Sequence, residues 1–301
     1  AVSYEEMNDA QRATLTKRRR QATELPDCTG VAGEVLEPLA LLLDPLLDRW
    51  EAVRPNTELR LTKWHLSGCE RRRVEDNAQF EWTPEKATGT IVHQMIQSWC
   101  FARKPLTPEM LFGLSVDRVQ RDETSIGRWL ADRNAPLVEI RERCCTLFTQ
   151  FVECFPKPTV SMVPAVETRH VWRHGTLHCE AKVDLQLGAD EQGRAGVVFV
   201  ELKSGVTRDE HLPDLHHYAL LRLLKLGVPP RAVALCSVAE GTTTVEQVTA
   251  ETLAEAAGRL AGGVLALVSL AEGRQPAETP SGLCRWCAVL DRCPSGQEVV
   301  R

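Results

Sequence analysis

The chain has 301 residues, of which 43% are apolar, with a formal net charge of -5 and a sequence pI of about 6.0. This is enough apolar material for one large globular domain or two small ones. The charge excludes the strong basic field of a non-specific nucleic-acid binder, so any phosphate contact must be local. No run of about 20 uninterrupted apolar residues predicts a membrane span and the first residues are polar, so we expect a cytoplasmic protein without a membrane partner.

The first half of the chain is predicted to be mostly helical. Residues 33–53 are rich in leucine, and because Pro38 and Pro45 each lack the amide hydrogen of an inner helical turn, we expect two short helices there. Two later helices are predicted to begin at Thr83 and Thr107, since each threonine is followed by proline and glutamate. Apolar residues at helical spacing predict a further helix at 136–155.

The second half is predicted to contain the sheet. Short β-branched runs begin near residue 159, and a helix around 209–226 is ended by Gly227. Two strands are predicted in 231–239 and 242–248, and a capping box from Thr252 to Glu255 predicts the start of the last long helix. This order of elements predicts an α/β fold with a central mixed β-sheet flanked by helices.

Two of the predicted strands carry charged residues on one side. They are KVDLQL at 182–187 and VFVELK at 198–203, separated by a turn-rich stretch. Because alternate side chains of a strand point to opposite sides, Glu201 and Lys203 face one way and Val200 the other. If the two strands pair, their register can bring Asp184 beside Glu201. This arrangement suits a metal-dependent phosphodiesterase, which needs oxygen ligands and a nearby cation.

The chain contains 11 cysteines, and three of them form the pattern C-x2-C-x5-C at Cys284, Cys287 and Cys293. A secreted disulfide framework is not expected in a chain of this length. Zinc and iron–sulfur clusters commonly take four protein ligands. Spacing alone does not select the fourth ligand, which could be a histidine or one of the other cysteines: Cys28, Cys69, Cys100, Cys144, Cys145, Cys154, Cys179 and Cys236.

Taken together, segments between about residues 59 and 294 resemble the RecB-like branch of the PD-(D/E)xK nucleases that carries an iron–sulfur cluster, the branch of the CRISPR spacer-acquisition and AddB-type nucleases. The resemblance lies in the order of the motifs. These are RLTKWHLSGCERRR with Cys69, GTIVHQMI with His93, KVDLQL with Asp184, FVELKSG with Glu201 and Lys203, DLHHYALL with Tyr218, and the C-terminal cysteine triad.

The resemblance implies a restriction-endonuclease-like fold, with a helical N-terminal extension at 1–58 and the nuclease domain at 59–301. It implies an Mg²⁺ or Mn²⁺ site, a catalytic Lys203 and a [4Fe-4S] cluster that clasps the N-terminal helical part to the C-terminus, with zinc as the alternative metal. The implied metal ligands are His93, Asp184, Glu201 and the backbone carbonyl of Leu202. The implied cluster ligands are Cys69, Cys284, Cys287 and Cys293, with Cys28 as the alternative to Cys69.

DNA contacts are predicted near the same motifs. Tyr218 is carried over from the family's Q-x-x-x-Y helix, in which Asp214 replaces the glutamine. The basic run that includes Arg71 and Arg72 adjoins Cys69 and is a candidate for tracking a nucleic-acid backbone, while Trp64 and Trp82 are candidates for base stacking.

The expected activity is that of a DNA nuclease, specifically an exonuclease acting on single strands or duplex ends. The sequence has no G-x-x-x-x-G-K-[ST] loop, so any unwinding requires a partner, such as a helicase in repair, CRISPR or defence. Two alternatives stay open at this point. One is a non-catalytic DNA-binding module that keeps the cluster, and the other is a zinc-stabilised scaffold protein.

Overall fold

A computed structural model describes residues 6–18, 30–66, 68–76, 80–132, 134–191, 193–205, 207 and 211–300. Cys28, the alternative cluster ligand, lies outside the described residues.

Helices and strands cover most of the described chain. The helices are α1 (Asp9–Arg18), α2 (Val31–Val53), α3 (Lys63–Leu66), α4 (Glu70–Glu75), α5 (Pro84–Phe101), α6 (Pro108–Arg121), α7 (Ser125–Leu130), α8 (Leu137–Cys154), α9 (Leu212–Leu226), α10 (Ala250–Ala271) and α11 (Pro294–Val300). The strands are β1 (Leu59–Leu61), β2 (Ala165–His174), β3 (Leu177–Leu187), β4 (Val198–Lys203), β5 (Ala232–Ser237) and β6 (Thr242–Gln247).

The strands form one mixed sheet in the order β1-β3-β4-β5-β6, with β2 also paired to β3. The pairs β1/β3 and β4/β5 are parallel, whereas β2/β3, β3/β4 and β5/β6 are antiparallel. One face packs against α2, α9 and α10, and the other packs against α5, α6 and α8. The α/β fold with a central mixed sheet flanked by helices is therefore confirmed.

Strand β4 is buried on both faces, as its position in the middle of the sheet requires. Phe199 packs in the core beneath α9 and α10, whereas Val200 and Leu202 pack in the core beneath α5 and α8. Glu201 follows the side of Phe199 by the alternation of the strand. A carboxylate is thereby brought near the end of a strand whose other residues, apart from Lys203, are apolar.

The expectation of two short helices at 33–53 is wrong, because α2 runs unbroken through both prolines. Pro38 and Pro45 are seven residues apart, so they lie on the same side of the helix, and both are exposed. The carbonyls that lose their amide partners can then bond to water. The opposite side of the helix buries Val35, Leu39, Leu43 and Leu47 in the core shared with α9 and α10.

Helix starts follow the predicted caps in two cases and differ in a third. Thr83 accepts a hydrogen bond from the amide of Lys86, and Thr107 accepts one from that of Met110, so both predictions are confirmed. The predicted start of the last long helix at Thr252 is wrong. Helix α10 is capped three residues earlier, where the hydroxyl of Thr249 accepts from the amide of Thr252 at 3.1 Å.

Helix α10 is the one helix in the described ranges that is long and apolar enough to cross a membrane, by length and composition only. It packs against α2 and α9, and it buries Leu253, Leu260, Val264 and Val268 in the core of the sheet. The core helix of a globular domain has these same properties.

The N-terminal helices pack directly on the rest of the chain. Helix α1 lies against α8, where the side-chain amides of Asn8 and Gln11 each donate to a backbone carbonyl at 2.7 Å. Helix α2 shares the core of the sheet. The division of the chain at residues 58 and 59 stays a prediction.

Two buried histidines make the fold sensitive to acid. His170 and His217 have no hydrogen-bond partner at either ring nitrogen within the described structure, and burial lowers the pKa of each to about 4. As the pH falls, these histidines are protonated in the unfolded chain before they are protonated in the folded protein. Their contribution to stability is therefore complete above the ordinary histidine pKa of about 6.5 and is lost as the pH falls towards 4.

Protonation of each buried histidine is expected to lower the free energy of unfolding by at most about 3 kcal/mol over that pH range, and by less for His170, whose ring is closer to solvent. We expect His170→Phe to make the acid-induced loss of stability shallower than in the wild type, as measured by urea unfolding between pH 7 and pH 4. His174→Phe, at a partly exposed position, is the control. An unchanged pH dependence in the His170 variant would show that this imidazole is readily protonated in the folded protein.

Candidate active site

The site lies at a gap in the sheet beside β3. Strand β2 pairs with one edge of β3 over nearly its whole length, so β1 and β4 share the other edge. Strand β1 pairs with residues 177–179 and β4 pairs with residues 185–187. Among the described strands, none pairs with residues 180–184 on that edge. This gap leaves room for side chains where the sheet would otherwise be closed by backbone hydrogen bonds.

Asp184 occupies the point where β3 and β4 separate. The last paired residues are Leu185 and Val200. Beyond them the amide of Leu202 donates to the Asp184 carboxylate at 2.8 Å. The same register, continued by one residue, places Asp184 opposite Glu201. The predicted approach of the two carboxylates therefore follows from the strand pairing.

Both carboxylates are nearly buried, with Asp184 9% and Glu201 6% exposed. Lys203 lies two residues beyond Glu201 on the same side of β4, and its Nζ is 2.7 Å from Glu201 Oε1. A buried carboxylate is stable only with such a partner, since removing a charge from water costs several kcal/mol. The two residues thus form a close, largely buried ion pair.

His93 reaches the same point from α5. Its Nδ1 lies 3.6 Å from Asp184 Oδ1. The helix can come this close to the end of β4 because Gly89, one turn earlier, has no side chain. A Cβ there would lie 3.0 Å from the hydroxyl of Ser204. His93 therefore faces the carboxylates while Ile91, Val92 and Met95 of α5 lie in the core.

The environment drives the pKa values of the two carboxyls apart. Burial, and then the charge of Asp184, raises the pKa of Glu201. Burial would also raise the pKa of Asp184, but the contact with His93 and the amide of Leu202 lower it. Burial opposes protonation of His93, yet Asp184 outweighs burial and raises its pKa. Such opposed shifts in one cluster are typical of functional sites.

One cation of the site, Lys63, was not predicted from the sequence. Its Nζ lies 3.9 Å from Glu201 Oε1 and 3.7 Å from Asp214 Oδ2. Lys63 is the first residue of α3 and lies two residues beyond the end of β1, which ends opposite Cys179 at the edge of the gap. The only signal in the sequence was its place in the segment that resembles the family's first cysteine motif.

Tyr218 and Asp214 of α9 form a wall of the same site. Asp214 pairs with Lys63, and the Tyr218 ring centroid lies 5.8 Å from the Lys63 ammonium. Tyr218 is buried, and burial followed by the charge of Glu201 raises the pKa of its hydroxyl. The structure thus brings Tyr218, Asp214 and the carboxylates together through Lys63. Their predicted contacts with DNA stay predictions.

The proposed cluster cysteines lie where α4 meets the C-terminal segment. Cys69 Sγ accepts a hydrogen bond from the amide of Thr279 at 3.5 Å, and Cys284 Sγ accepts one from that of Ser281 at 3.3 Å. The sulfurs of Cys284 and Cys293 both adjoin Gly296, where a Cβ would lie 3.6 and 3.4 Å from them. Cys287 belongs to the same short turn, and its amide donates to the carbonyl of Cys284.

Neither the carboxylate site nor the cysteine site has its side chains arranged as a complete set of ligands. Within the described ranges, no three His, Cys, Asp or Glu residues form a group that could hold a metal ion. At the carboxylate site, the side chains face protein partners instead, with Glu201 turned to Lys203 and Asp184 bonded to Leu202. The donor set of two carboxylates and an imidazole nevertheless suits a divalent ion chemically.

The two arginines predicted to contact DNA differ in their surroundings. Arg71 pairs with Glu75 at 3.0 Å, pairs closely with Glu278, and donates to the carbonyl of Arg292 at 2.9 Å. It therefore ties α4 to the C-terminal segment. Arg72 pairs with Asp76 at 3.5 Å and keeps 41% of its side chain exposed. Its role towards DNA stays a prediction.

Comparison with known proteins identifies the superfamily to which the chain belongs. The family model described as the PD-(D/E)XK nuclease superfamily matches residues 62–294. The chain belongs to this superfamily. No curated protein gives a significant match to this chain. A solved structure from Eubacterium rectale, described as a "Putative exonuclease", is similar, with 12% identity over 81% of this chain and 91% of that chain and a TM-score of 0.49.

Proposed function

We propose that the protein is a metal-dependent deoxyribonuclease that hydrolyses phosphodiester bonds. The observation that carries the proposal is the meeting of Asp184, Glu201 and His93, with Lys203 beside them, at the gap between β1 and β4. Membership of a nuclease superfamily gives the reaction class. Nucleases of this superfamily generally use divalent metals.

His93, Asp184, Glu201 and the backbone carbonyl of Leu202 would hold the ion, Mg²⁺ or Mn²⁺. Two carboxylates suit either ion, and the imidazole favours Mn²⁺. When bound, a divalent ion polarises a phosphoryl oxygen and lowers the pKa of a coordinated water.

The side chains of this chain supply position and charge. The amide of Leu202 fixes the Asp184 carboxylate, and β4 fixes Glu201 and Lys203 on one side of a rigid central strand. The Lys203 ammonium would orient the attacking water and offset charge that develops on the phosphate. Tyr218 and Lys63 close the side of the site formed by α9 and α3.

The experiment is a cleavage assay with 5'- and 3'-labelled single and double strands in Mg²⁺, in Mn²⁺ and in EDTA. We expect the labelled strands to be degraded when a divalent ion is present and to stay intact in EDTA. The two labels also test the finer proposal of an exonuclease acting on single strands or duplex ends, since digestion from an end releases one label first. Intact strands in both metals would overturn the proposal.

Single strands are the preferred substrate in this proposal because of Trp64. Its side chain is 70% exposed, its ring lies 5.8 Å from the Lys63 ammonium, and α3 brings it to the edge of the site. Trp82 is a poorer candidate, since its ring packs against the core beneath α5 and its indole nitrogen is buried. An exposed aromatic ring stacks with an unpaired base more readily than with a paired one.

We expect Trp64→Ala to weaken binding of a single-stranded oligonucleotide by about 1–3 kcal/mol and to change duplex binding little. Fluorescence anisotropy with the two substrates measures both. Trp286→Ala is the matched control, because Trp286 is 63% exposed but lies in the C-terminal segment. Equal losses for both tryptophans would contradict a stacking role for Trp64.

We propose, separately, that Cys69, Cys284, Cys287 and Cys293 bind a [4Fe-4S] cluster, with zinc as the alternative. The amide-to-sulfur hydrogen bonds at Cys69 and Cys284 support this, because such bonds are common around cluster thiolates. The cluster would clasp α4 to the C-terminus and stabilise the fold. Protein purified without oxygen should be coloured and contain iron. A colourless protein with stoichiometric zinc would overturn the cluster.

The biological setting belongs to the same proposal. The sequence has no phosphate-binding loop of the G-x-x-x-x-G-K-[ST] type, so any unwinding of the substrate would come from a partner, for which we propose a helicase in repair, CRISPR or defence. We also propose a cytoplasmic location, with residues 1–58 acting as an extension of the nuclease domain at 59–301.

A further inference from the structure

Lys63 holds an unusual position for a lysine that starts a short helix. Its side chain is 27% exposed, and its ammonium lies between Glu201 at 3.9 Å and Asp214 at 3.7 Å. The rings of Tyr218 and Trp64 each have their centroid 5.8 Å from it. Surface lysines usually extend into water, so a lysine held between two acids and two rings needs an explanation.

The backbone around Lys63 is fixed on several sides. His65 Nδ1 accepts from the amide of Thr62 at 3.0 Å, and the carbonyl of Trp64 accepts from the Arg73 guanidinium at 2.7 Å. Leu66 packs against Gly263 of α10, where a Cβ would lie only 2.8 Å from its methyl group. Helix α3 is therefore docked firmly, and the direction of Lys63 follows from the fold.

The two acids hold Lys63 loosely. Neither 3.9 Å nor 3.7 Å is a hydrogen-bonding distance. Lys203, by contrast, lies at 2.7 Å from the same Glu201 oxygen. Lys63 therefore loses less interaction energy than Lys203 when its present contacts with the acids lengthen. For that reason the N–H groups of Lys63 are better placed to donate to an incoming anion.

We propose that Lys63 is a second phosphate-binding cation of the site. Lys63 contacts a backbone phosphate of the substrate strand, whereas Lys203 acts on the phosphate that reacts. This rests on the proposed nuclease function and names the group that holds the strand. Both ammonium groups lie within 4 Å of the same carboxylate oxygen, so they can bind one phosphate or two successive phosphates of one strand. Before DNA binds, Glu201 and Asp214 keep Lys63 in place.

If Lys63 had only a structural role, it would neutralise the charges of Glu201 and Asp214 and would not contact the substrate. The test is Lys63→Met, which keeps the length of the side chain and removes the charge. We expect affinity for a single-stranded oligonucleotide, measured in EDTA to prevent cleavage, to fall roughly 10-fold. The slope of log affinity against log salt should fall by about 0.7, the value for one phosphate contact on a single strand.

The same variant is expected to change metal affinity in the opposite direction to DNA affinity. Because an ammonium 3.9 Å from Glu201 repels a divalent ion, Lys63→Met should tighten Mn²⁺ binding in calorimetry without DNA. Misfolding would weaken both ligands, so the opposed changes separate the proposal from loss of structure. Lys63→Arg should restore oligonucleotide affinity and the salt slope, and Lys225→Met, at an exposed position near the end of α9, should change neither.

The outcomes separate the two proposals. Wild-type protein that cleaves DNA with Mn²⁺, together with a Lys63→Met variant of unchanged DNA affinity and salt slope, overturns the role of Lys63 alone. Wild-type protein that neither binds nor cleaves DNA overturns the proposed function and this inference with it. If Lys63→Met does not fold, Lys63→Gln replaces it. That variant also lacks the charge, so it should bind the oligonucleotide more weakly and with a lower salt slope, and unchanged binding overturns the inference.

Discussion

Lys203→Ala is expected to lower the rate of DNA cleavage by at least about 100-fold, the usual cost of removing a group that stabilises charge in a transition state. Its ammonium is the cation nearest to Glu201, at 2.7 Å, and β4 holds it beside Asp184. Thermal stability should change little. Glu201 already has a raised pKa, so it can take up a proton when its partner is lost and need not remain a buried unpaired charge.

Cleavage rates at saturating Mn²⁺ and melting temperatures of the same preparations measure both parts of this prediction. Lys182→Ala is the matched control, because Lys182 is a lysine of the neighbouring strand that pairs closely with Glu167 outside the site. Undiminished cleavage by the Lys203 variant would show that the reaction does not use this ammonium. A large fall in melting temperature would mean that the pair with Glu201 is chiefly structural.

Glu201→Gln is expected to abolish metal-dependent cleavage and to make the folded protein more stable at pH 8. Activity is lost because the neutral side-chain amide of glutamine replaces a charged carboxylate ligand of the same size. Stability rises because burial, and then the charge of Asp184, raises the pKa of Glu201, which means that the fold disfavours its ionised form. A functional group that destabilises its own fold is common at active sites.

The sign of the pH dependence follows from that shift. The unfolded chain loses the Glu201 proton first, near the ordinary glutamate pKa of about 4.3, so wild-type stability falls as the pH rises from there through the raised folded pKa. The Gln variant lacks this loss, and its advantage in melting temperature should grow from pH 4.5 to pH 8. A variant that is less stable than the wild type at pH 8 would show that the ion pairs of Glu201 outweigh its burial.

The approach of Asp184, Glu201 and Lys203 could be predicted because it depends on short-range rules. Alternation along β4 places Glu201 and Lys203 on one side, and the antiparallel register with β3 brings Asp184 opposite. The caps at Thr83 and Thr107 are equally local. At these positions the signal lies within a few residues, and the structure agrees with the prediction, whereas the equally local capping box at Thr252 gave a helix start three residues too late.

Lys63 could not be predicted, because its position depends on long-range pairing. The three-residue strand β1 has little sequence signal, and only its parallel pairing with β3 brings α3 to the gap beside Glu201. The unbroken α2 was missed for a similar reason. Burial of Leu39 and Leu43 against α9 and α10 outweighs two prolines whose lost hydrogen bonds face water.

The most direct test of the account is Mn²⁺ binding and strand cleavage measured on the same protein, wild type against Asp184→Asn. The account predicts that the wild type binds Mn²⁺ in calorimetry and degrades labelled DNA, and that the variant, with one oxygen ligand made neutral, loses both while remaining folded. Cleavage that persists in EDTA, or an Asp184 variant that binds Mn²⁺ and cuts DNA like the wild type, would contradict it.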